Sequence, residues 1–300
     1  MDRILLAGSV APKRHSISMV RRAGATTGRD APTACPACVA RSRSGLRPVA
    51  RFSDYRPALE GDRRMKLLYL QNGPRPRSVS GLEERFAAAG FDVDIRWAYD
   101  GQFPDSADGY GACFVSGSPH GAYEDIAWIH REHELLRDLA GRGVPMLGIC
   151  FGSQILGSAL CGRDQVFRRP ACEVGYLHLD VADAARADPV ARDLGPTVEM
   201  FVWHNDEVRA GHPDMQILAS SPDCPNHVWK HRRHPAWGIQ GHPEVDAAQA
   251  RAWFELSRAR LEADGADVEA LKRRAVDADE AKTMLANFMS EARAGRLAAA

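Results

Sequence analysis

The sequence predicts a three-layer α/β domain, with a mostly parallel central sheet covered by helices on both faces and a helical C-terminal tail. Three observations carry this. Short apolar runs alternate with amphipathic segments between Lys66 and Leu160. One of these runs, VPMLGI (Val144–Ile149), passes through a single cysteine into a helix-like stretch. From Asp246 the pattern is helical almost to the end.

In chain order, Lys66–Gln71 (KLLYLQ) reads as a buried strand. Ser80 and Glu83 form an S-x-x-E capping box, predicting a helix to about Ala89 with Gly90 just past its end. Phe91–Trp97 alternates apolar and polar, as a strand near a sheet edge does. Tyr110–Ser116 is a strand entering the loop SGSPHG. Ile126–Ala140 is an amphipathic helix, Val144–Ile149 a continuous apolar strand and Ser153–Leu160 a helix. After Cys161 the pattern changes to short strands that extend the sheet in mixed fashion: Gly175–Val181, Glu199–Trp203, Met215–Ser220, His227–His231 and Ala236–Gln240. In the tail, Gly265 is the expected break, and Trp253, Phe254 and Leu256 are expected to form a helix face covering the domain.

The 300 residues, 45% hydrophobic and 26% charged, have the composition of a soluble globular protein. No apolar run approaches the ~18–20 residues that span a membrane, and a formal net charge of zero gives no bulk attraction to nucleic acid. Neither partner is expected. The zero conceals an asymmetry: residues 1–64 hold 13 Lys/Arg against 5 Asp/Glu, and residues 65–300 hold 26 against 34. The first segment is Arg-rich and lacks periodicity, which suits a disordered basic arm, a transit peptide or an over-extended start. The abrupt restart at MKLLYLQNGP favours the first or last of these. The expected organisation is therefore an arm (1–64), a domain (65–245) and a helical extension packed on it (246–300). Seven cysteines without framework spacing argue against a disulfide scaffold and for a reducing, cytoplasmic setting. Cys35 and Cys38 form a C-x-x-C without a second ligand pair, so no zinc or redox role is assigned to them.

Gly148-Ile149-Cys150-Phe151-Gly152 has the spacing of a G-x-S-x-G nucleophile elbow with cysteine at its centre. A sharp strand-to-helix turn exposes the central side chain, and the following helix N-terminus favours thiolate. The same spacing also fits a buried cysteine in a turn, and a thiol nucleophile needs a base. GIQGHPE (Gly238–Glu244) supplies the best candidate: His242 as general base and acid, with Glu244 to hold its tautomer. HVWKHRRHP contains His227, His231 and His234, but it reads as a strand leading into a basic turn, with no cysteine or acidic partner accompanying them at ligand spacing. No metal centre is expected. Cys113 and Cys161 are assigned to core packing.

Together, GICFGSQ and GIQGHPE resemble the class I (triad-type) glutamine amidotransferases, above all the amidotransferase domain of GMP synthetase and its stand-alone relatives. VSGSPHGAYED (Val115–Asp125), CEVGYLHLD (Cys172–Asp180) and FVWHNDEV (Phe201–Val208) extend the resemblance in the same order. It implies a flavodoxin-like sheet, with Cys150 as nucleophile and His242 and Glu244 completing a triad. It places an oxyanion hole at the backbone N–H of Phe151 and of the Gly117-Ser118 loop. Gln154 and the segment Glu173, Val174, Gly175 and Tyr176 become substrate contacts, and His204 a positional residue beside the site. Ser118 departs from the family's usual S-G-G-P loop.

The implied chemistry is cleavage of the γ-amide of glutamine or a γ-glutamyl compound through a cysteine thioester, with no metal or organic cofactor. The chain has no S-G-G-x-D-S pyrophosphatase loop, and the 56 residues after Glu244 are too few for a synthetase domain. A stand-alone hydrolase or transferase is therefore expected first. The alternatives are a glutaminase subunit feeding ammonia to a separate synthetase and a catalytically silent binding module.

Overall fold

The computed structural model of the chain describes residues 16–18, 64–75 and 81–299. Cys35, Cys38, Ser80 and most of the basic arm lie outside these residues. Within the arm, Ser16–Ser18 forms a short strand, β1, paired parallel with Ala171–Glu173.

Five strands make the parallel part of the sheet: β2 (Met65–Leu70), β3 (Phe91–Arg96), β4 (Ala112–Val115), β5 (Met146–Ile149) and β10 (Ala236–Ile239). Their order is β3-β2-β4-β5-β10. Helices α1 (Leu82–Ala88), α2 (Ala127–Gly141) and α3 (Phe151–Cys161) fill the crossovers. The alternation of β2 sorts its side chains by face. Leu67 and Tyr69 pack with Leu82 and Phe86 of α1 on one side, whereas Leu68 and Leu70 pack with Ile129 and Leu136 of α2 on the other. Beyond β10 the sheet turns antiparallel through β9 (Val228–His231), β8 (Met215–Ser220), β6 (Val166–Val181) and β7 (Thr197–Val208). This is the three-layer, largely parallel architecture that the sequence predicts, with a mixed extension.

Three local expectations are corrected. Helix α1 starts at Leu82 behind Gly81, which adopts the left-handed conformation (φ 59°) and makes no side-chain cap, so Glu83 only adds charge to the first turn. The two short strands expected at 175–181 and 199–203 are a long hairpin of 16 and 12 residues. Pro170 and paired arginines break the apolar pattern of β6, and its register against β7 shifts between Arg168 and Glu173. In the tail, Phe254 is buried and Trp253 partly so, but Leu256 is 86% exposed and covers nothing.

The tail consists of α4 (Ala247–Leu256), α5 (Arg258–Ala263), α6 (Val268–Arg273) and α7 (Asp279–Ala299). Asp246 and Gln249 build a reciprocal capping box at the start of α4. Gly265, at φ 91°, lies between α5 and α6, and further breaks fall at Ser257 and between α6 and α7. Met284, Leu285 and Phe288 of α7 complete the core on the α1 face, and α4 and α6 pack on Val174, Tyr176 and Phe201 of the hairpin.

Candidate active site

The site grows from two neighbouring parallel strands that end at the same edge of the sheet. β5 and β10 are in register, with Gly238 beside Gly148 and Ile239 beside Ile149. Cys150 follows one strand, its N–H donating to the Ile239 carbonyl at 2.8 Å, and His242 follows the other. Pairing in register thus brings together residues 92 positions apart in sequence.

Cys150 has φ 54° and ψ −110°, and among the described residues it alone combines a positive φ with a side chain. The flanking glycines explain how the turn closes. A Cβ on Gly148 would lie 2.2 Å from the Gly152 carbonyl oxygen, and one on Gly152 would lie 2.0 Å from that of Val115. Either is prohibitive. Phe151 opens α3, so its N–H is one of the helix's unpaired N-terminal donors.

His242 and Glu244 are both buried, and His242 Nδ1 lies 2.8 Å from Glu244 Oε1. A carboxylate only accepts, so Nδ1 carries the proton and Nε2 is the ring nitrogen open to Cys150, whose Sγ donates to the Trp203 carbonyl at 3.8 Å. Burial opposes charge on His242, but Glu244 and then Cys150 outweigh it and raise the imidazole to about 10. The ring is held between Phe201 and Trp253, with centroids 5.9 and 5.8 Å away. Trp253 thus brings the tail against the histidine.

The other candidates distribute as follows. Gly117 faces the same point: a Cβ there would sit 3.6 Å from His242 and 3.7 Å from Cys150. Ser118 Oγ accepts from the His120 N–H at 3.2 Å, and Glu124 accepts from the Gly121 N–H at 2.7 Å. The serine in place of glycine therefore pins the loop through its side chain. Gln154, one turn into α3, is buried and donates from Nε2 to the Asp206 carbonyl at 2.9 Å and to Gln240 Oε1 at 3.2 Å. Gly175, at φ 124°, lies in the β6 segment facing β7, with Val174 and Tyr176 buried on either side of it. Glu173 joins a buried polar group with His204, at 2.7 Å, and His227, at 3.4 Å. Burial works against its charge, but the two histidines outweigh it and hold the Glu173 carboxyl below the ordinary range. Cys113 is buried as expected, whereas Cys161 is half-buried.

Asp206 and Gln240 border the site without having been singled out in the sequence, and Trp253, expected there only as part of a covering helix face, also reaches it. Asp206 is buried, and its Oδ1 meets Arg168 at 3.3 Å and Tyr123 at 3.2 Å. Its signal was present in WHNDEV, and that of Gln240 in GIQGHPE, but neither residue type marks a role without its neighbours in space. Of the three histidines in HVWKHRRHP, only His227 approaches this region. His231 Nδ1 accepts from two turn N–H groups, and His234 Nδ1 donates to the Ala140 carbonyl.

Comparison with known proteins finds several similar chains. A subunit of the glutamine-hydrolysing GMP synthase of Methanothermobacter thermautotrophicus is 35% identical over 102 residues, covering 34% of this chain and 52% of that protein. The corresponding subunit from Pyrococcus abyssi is 32% identical over the same coverage. The chain thus spans about half the length of these curated relatives. A glutamine amidotransferase of Thermotoga maritima superposes with a TM-score of 0.66 at 21% identity, over 77% of this chain and 99% of its own. One from Methylobacillus flagellatus gives 0.59 at 20%, over 76% and 94%. These likenesses show the fold. The model for "Glutamine amidotransferase class-I" matches residues 78–255, more than half of the chain, including both the Cys150 elbow and the His242 loop. The chain belongs to the class-I glutamine amidotransferase family.

Proposed function

We propose that the chain hydrolyses or transfers the γ-acyl group of glutamine or a γ-glutamyl compound, with Cys150 as nucleophile. The observation that carries this is the strained Cys150 elbow beside a buried His242–Glu244 pair at 2.8 Å. His242, raised to about 10, holds the proton drawn from Cys150 as an imidazolium, and sulfur attacks the side-chain carboxamide carbon. The Phe151 N–H and one from the Gly117-Ser118 loop receive the developing oxyanion. His242 returns the proton to the departing ammonia, leaving a γ-glutamyl thioester. A water molecule, giving its proton to His242, then releases glutamate and restores the thiol. Glu244 fixes the Nδ1–H tautomer throughout. Gln154 and the Glu173–Tyr176 backbone hold the α-amino acid end of the substrate. No step calls for a metal or an organic cofactor.

One finding favours a second reading. The M. thermautotrophicus and P. abyssi relatives are each named as one subunit of a glutamine-hydrolysing GMP synthase, so this chain would serve as a glutaminase subunit that passes ammonia to a separate synthetase. Purified protein is screened against glutamine, γ-glutamyl peptides and γ-glutamyl amines. Release of ammonia or glutamate, abolished in Cys150→Ala, supports the stand-alone reading. Turnover only with an added synthetase partner supports the second. Absence of Cys150-dependent turnover in both settings contradicts the catalytic proposal.

A further inference from the structure

We infer that Glu173, His204, Cys224 and His227 form a buried metal site, and that zinc is the ion their donor set fits. One ligand atom from each lies within 4.8 Å of every other, and all four residues are buried. Glu173 comes from β6 and His204 from β7, while Cys224 and His227 belong to the C-P-N-H turn before β9. That C-x-x-H spacing supplies a cysteine partner just upstream of HVWKHRRHP. Two histidine nitrogens, a thiolate and a carboxylate make a four-ligand set of the kind zinc accepts.

The hydrogen bonding at His204 points the same way. Its Nδ1 lies 3.0 Å from the Asp206 carbonyl, an acceptor, so Nδ1 carries a proton. Its Nε2 then faces Glu173 Oε2, another acceptor, at 2.7 Å. Something positive must sit between them, a second proton or a metal ion. A ring N–H given to a backbone carbonyl, with the other nitrogen turned inward, is the usual posture of a ligating histidine. His227 Nε2 lies 3.1 Å from Ser221 Oγ and 3.4 Å from the same Oε2. Glu173 Oε1 and His227 Nδ1 are buried without a hydrogen-bond partner, so the polar group is incompletely satisfied by protein alone.

Charge also balances. A divalent ion, the Glu173 carboxylate and a Cys224 thiolate sum to zero, the thiol proton and the proton shared by His204 and Glu173 leaving for solvent. The nearby Arg169 pairs with Glu207, donates to the Asp223 carbonyl at 2.8 Å and lies 4.0 Å from Glu173 Oε1, so its charge is shared between Glu207 and the edge of the site. Tetrahedral zinc with bonds of about 2.0–2.3 Å sets ligand atoms about 3.3–3.6 Å apart, so separations of up to 4.8 Å must close and the 2.7 Å contact of His204 Nε2 with Glu173 Oε2 must open to admit the ion. The site would clamp three segments bordering the candidate active site. The His227 carbonyl accepts from Gln240 N–H at 2.7 Å, and the Asp206 carbonyl that receives His204 also receives Gln154. The inference does not depend on the glutaminase reading.

The test is metal analysis of the full, untagged chain purified without chelator and exposed to zinc. About one tightly held zinc per chain is expected. Chelated protein given cobalt(II) should develop a near-ultraviolet thiolate-to-cobalt band that is lost in Cys224→Ser and retained in Cys150→Ala. His227→Gln, which keeps hydrogen-bonding capacity, should also lose the ion. If Cys224→Ser does not fold, X-ray absorption on the zinc-loaded wild type decides, with one sulfur among nitrogen and oxygen ligands supporting the site. No retained metal in the wild type, a cobalt band that survives Cys224→Ser, or a sulfur count other than one overturns it.

Discussion

Cys150 takes a backbone conformation that costs a residue with a side chain on the order of 1–3 kcal/mol, and the surrounding contacts make it unavoidable. β5 must turn into α3 within one residue, and Gly148 and Gly152 leave no room for the turn to relax. Gly148→Ala and Gly152→Ala should each lower stability by about 3 kcal/mol or more, because their Cβ atoms meet backbone rather than movable side chains. Urea denaturation measures this. The His242–Glu244 pair makes a second residue-scale prediction. The imidazole, raised to about 10 from 6.5, contributes stability that is present in full below pH 6.5 and lost as pH rises through 10. Glu244→Gln removes the carboxylate that raises it, so this window should shrink toward ordinary histidine behaviour. Turnover should fall by about 10²–10⁴-fold, with the alkaline limb of the pH–rate profile moving to lower pH. A profile unchanged in shape would argue against Glu244 as the orienting group.

At the scale of elements, α2 supports the loop that carries Gly117 and Ser118. Its Glu132 is fully buried and accepts from Asn72 Nδ2 at 3.0 Å, while the Asn72 N–H donates to Ser116 Oγ at 2.9 Å. Burial raises Glu132 from 4.5 to about 8, so the folded chain holds a proton that the unfolded chain has released over that range. Its contribution is present in full below pH 4.5 and is lost as pH rises through 8. Glu132→Gln keeps the acceptor for Asn72 and cannot ionise. Thermal unfolding at about pH 6 and about pH 9 should show the variant losing less stability than wild type, by a few kcal/mol at most. Equal losses would place no ionisation at this position. The crossover elements were legible because KLLYLQ and VPMLGI are continuous apolar runs buried on both faces of the sheet, and the Ile126–Ala140 helix buries one coherent face. The β6–β7 hairpin was not, since Arg168, Arg169 and Pro170 interrupt its pattern while β7 supplies the pairing from a distance. Cys150, His242 and Glu244 could be read as glycine-flanked turns. Asp206, Gln240 and Cys224 could not, because their meaning comes only from partners on other strands.

Across the whole molecule, the tail belongs to the core. Phe288 of α7 is completely buried and stacks edge-on against Trp237 of β10 at 6.3 Å, and Trp253 of α4 touches His242. Phe288→Ala should cost about 3–5 kcal/mol, seen as a lower urea midpoint, since it empties the centre of the layer shared by α1, α7 and the sheet. Trp253→Ala should spare the fold more and weaken turnover more, because the ring it supports is the proposed base. The reverse ranking would separate the tail from the chemistry.

The most direct measurement is intact-mass and peptide mass spectrometry of the folded chain after exposure to a glutamine analogue with an electrophilic carbon at the γ-amide position. A single adduct on Cys150, absent from Cys150→Ala and suppressed by glutamine, is the predicted result. An unlabelled Cys150 with and without a synthetase partner, or an adduct that lands on Cys113, Cys161, Cys172 or Cys224 instead, would contradict the account.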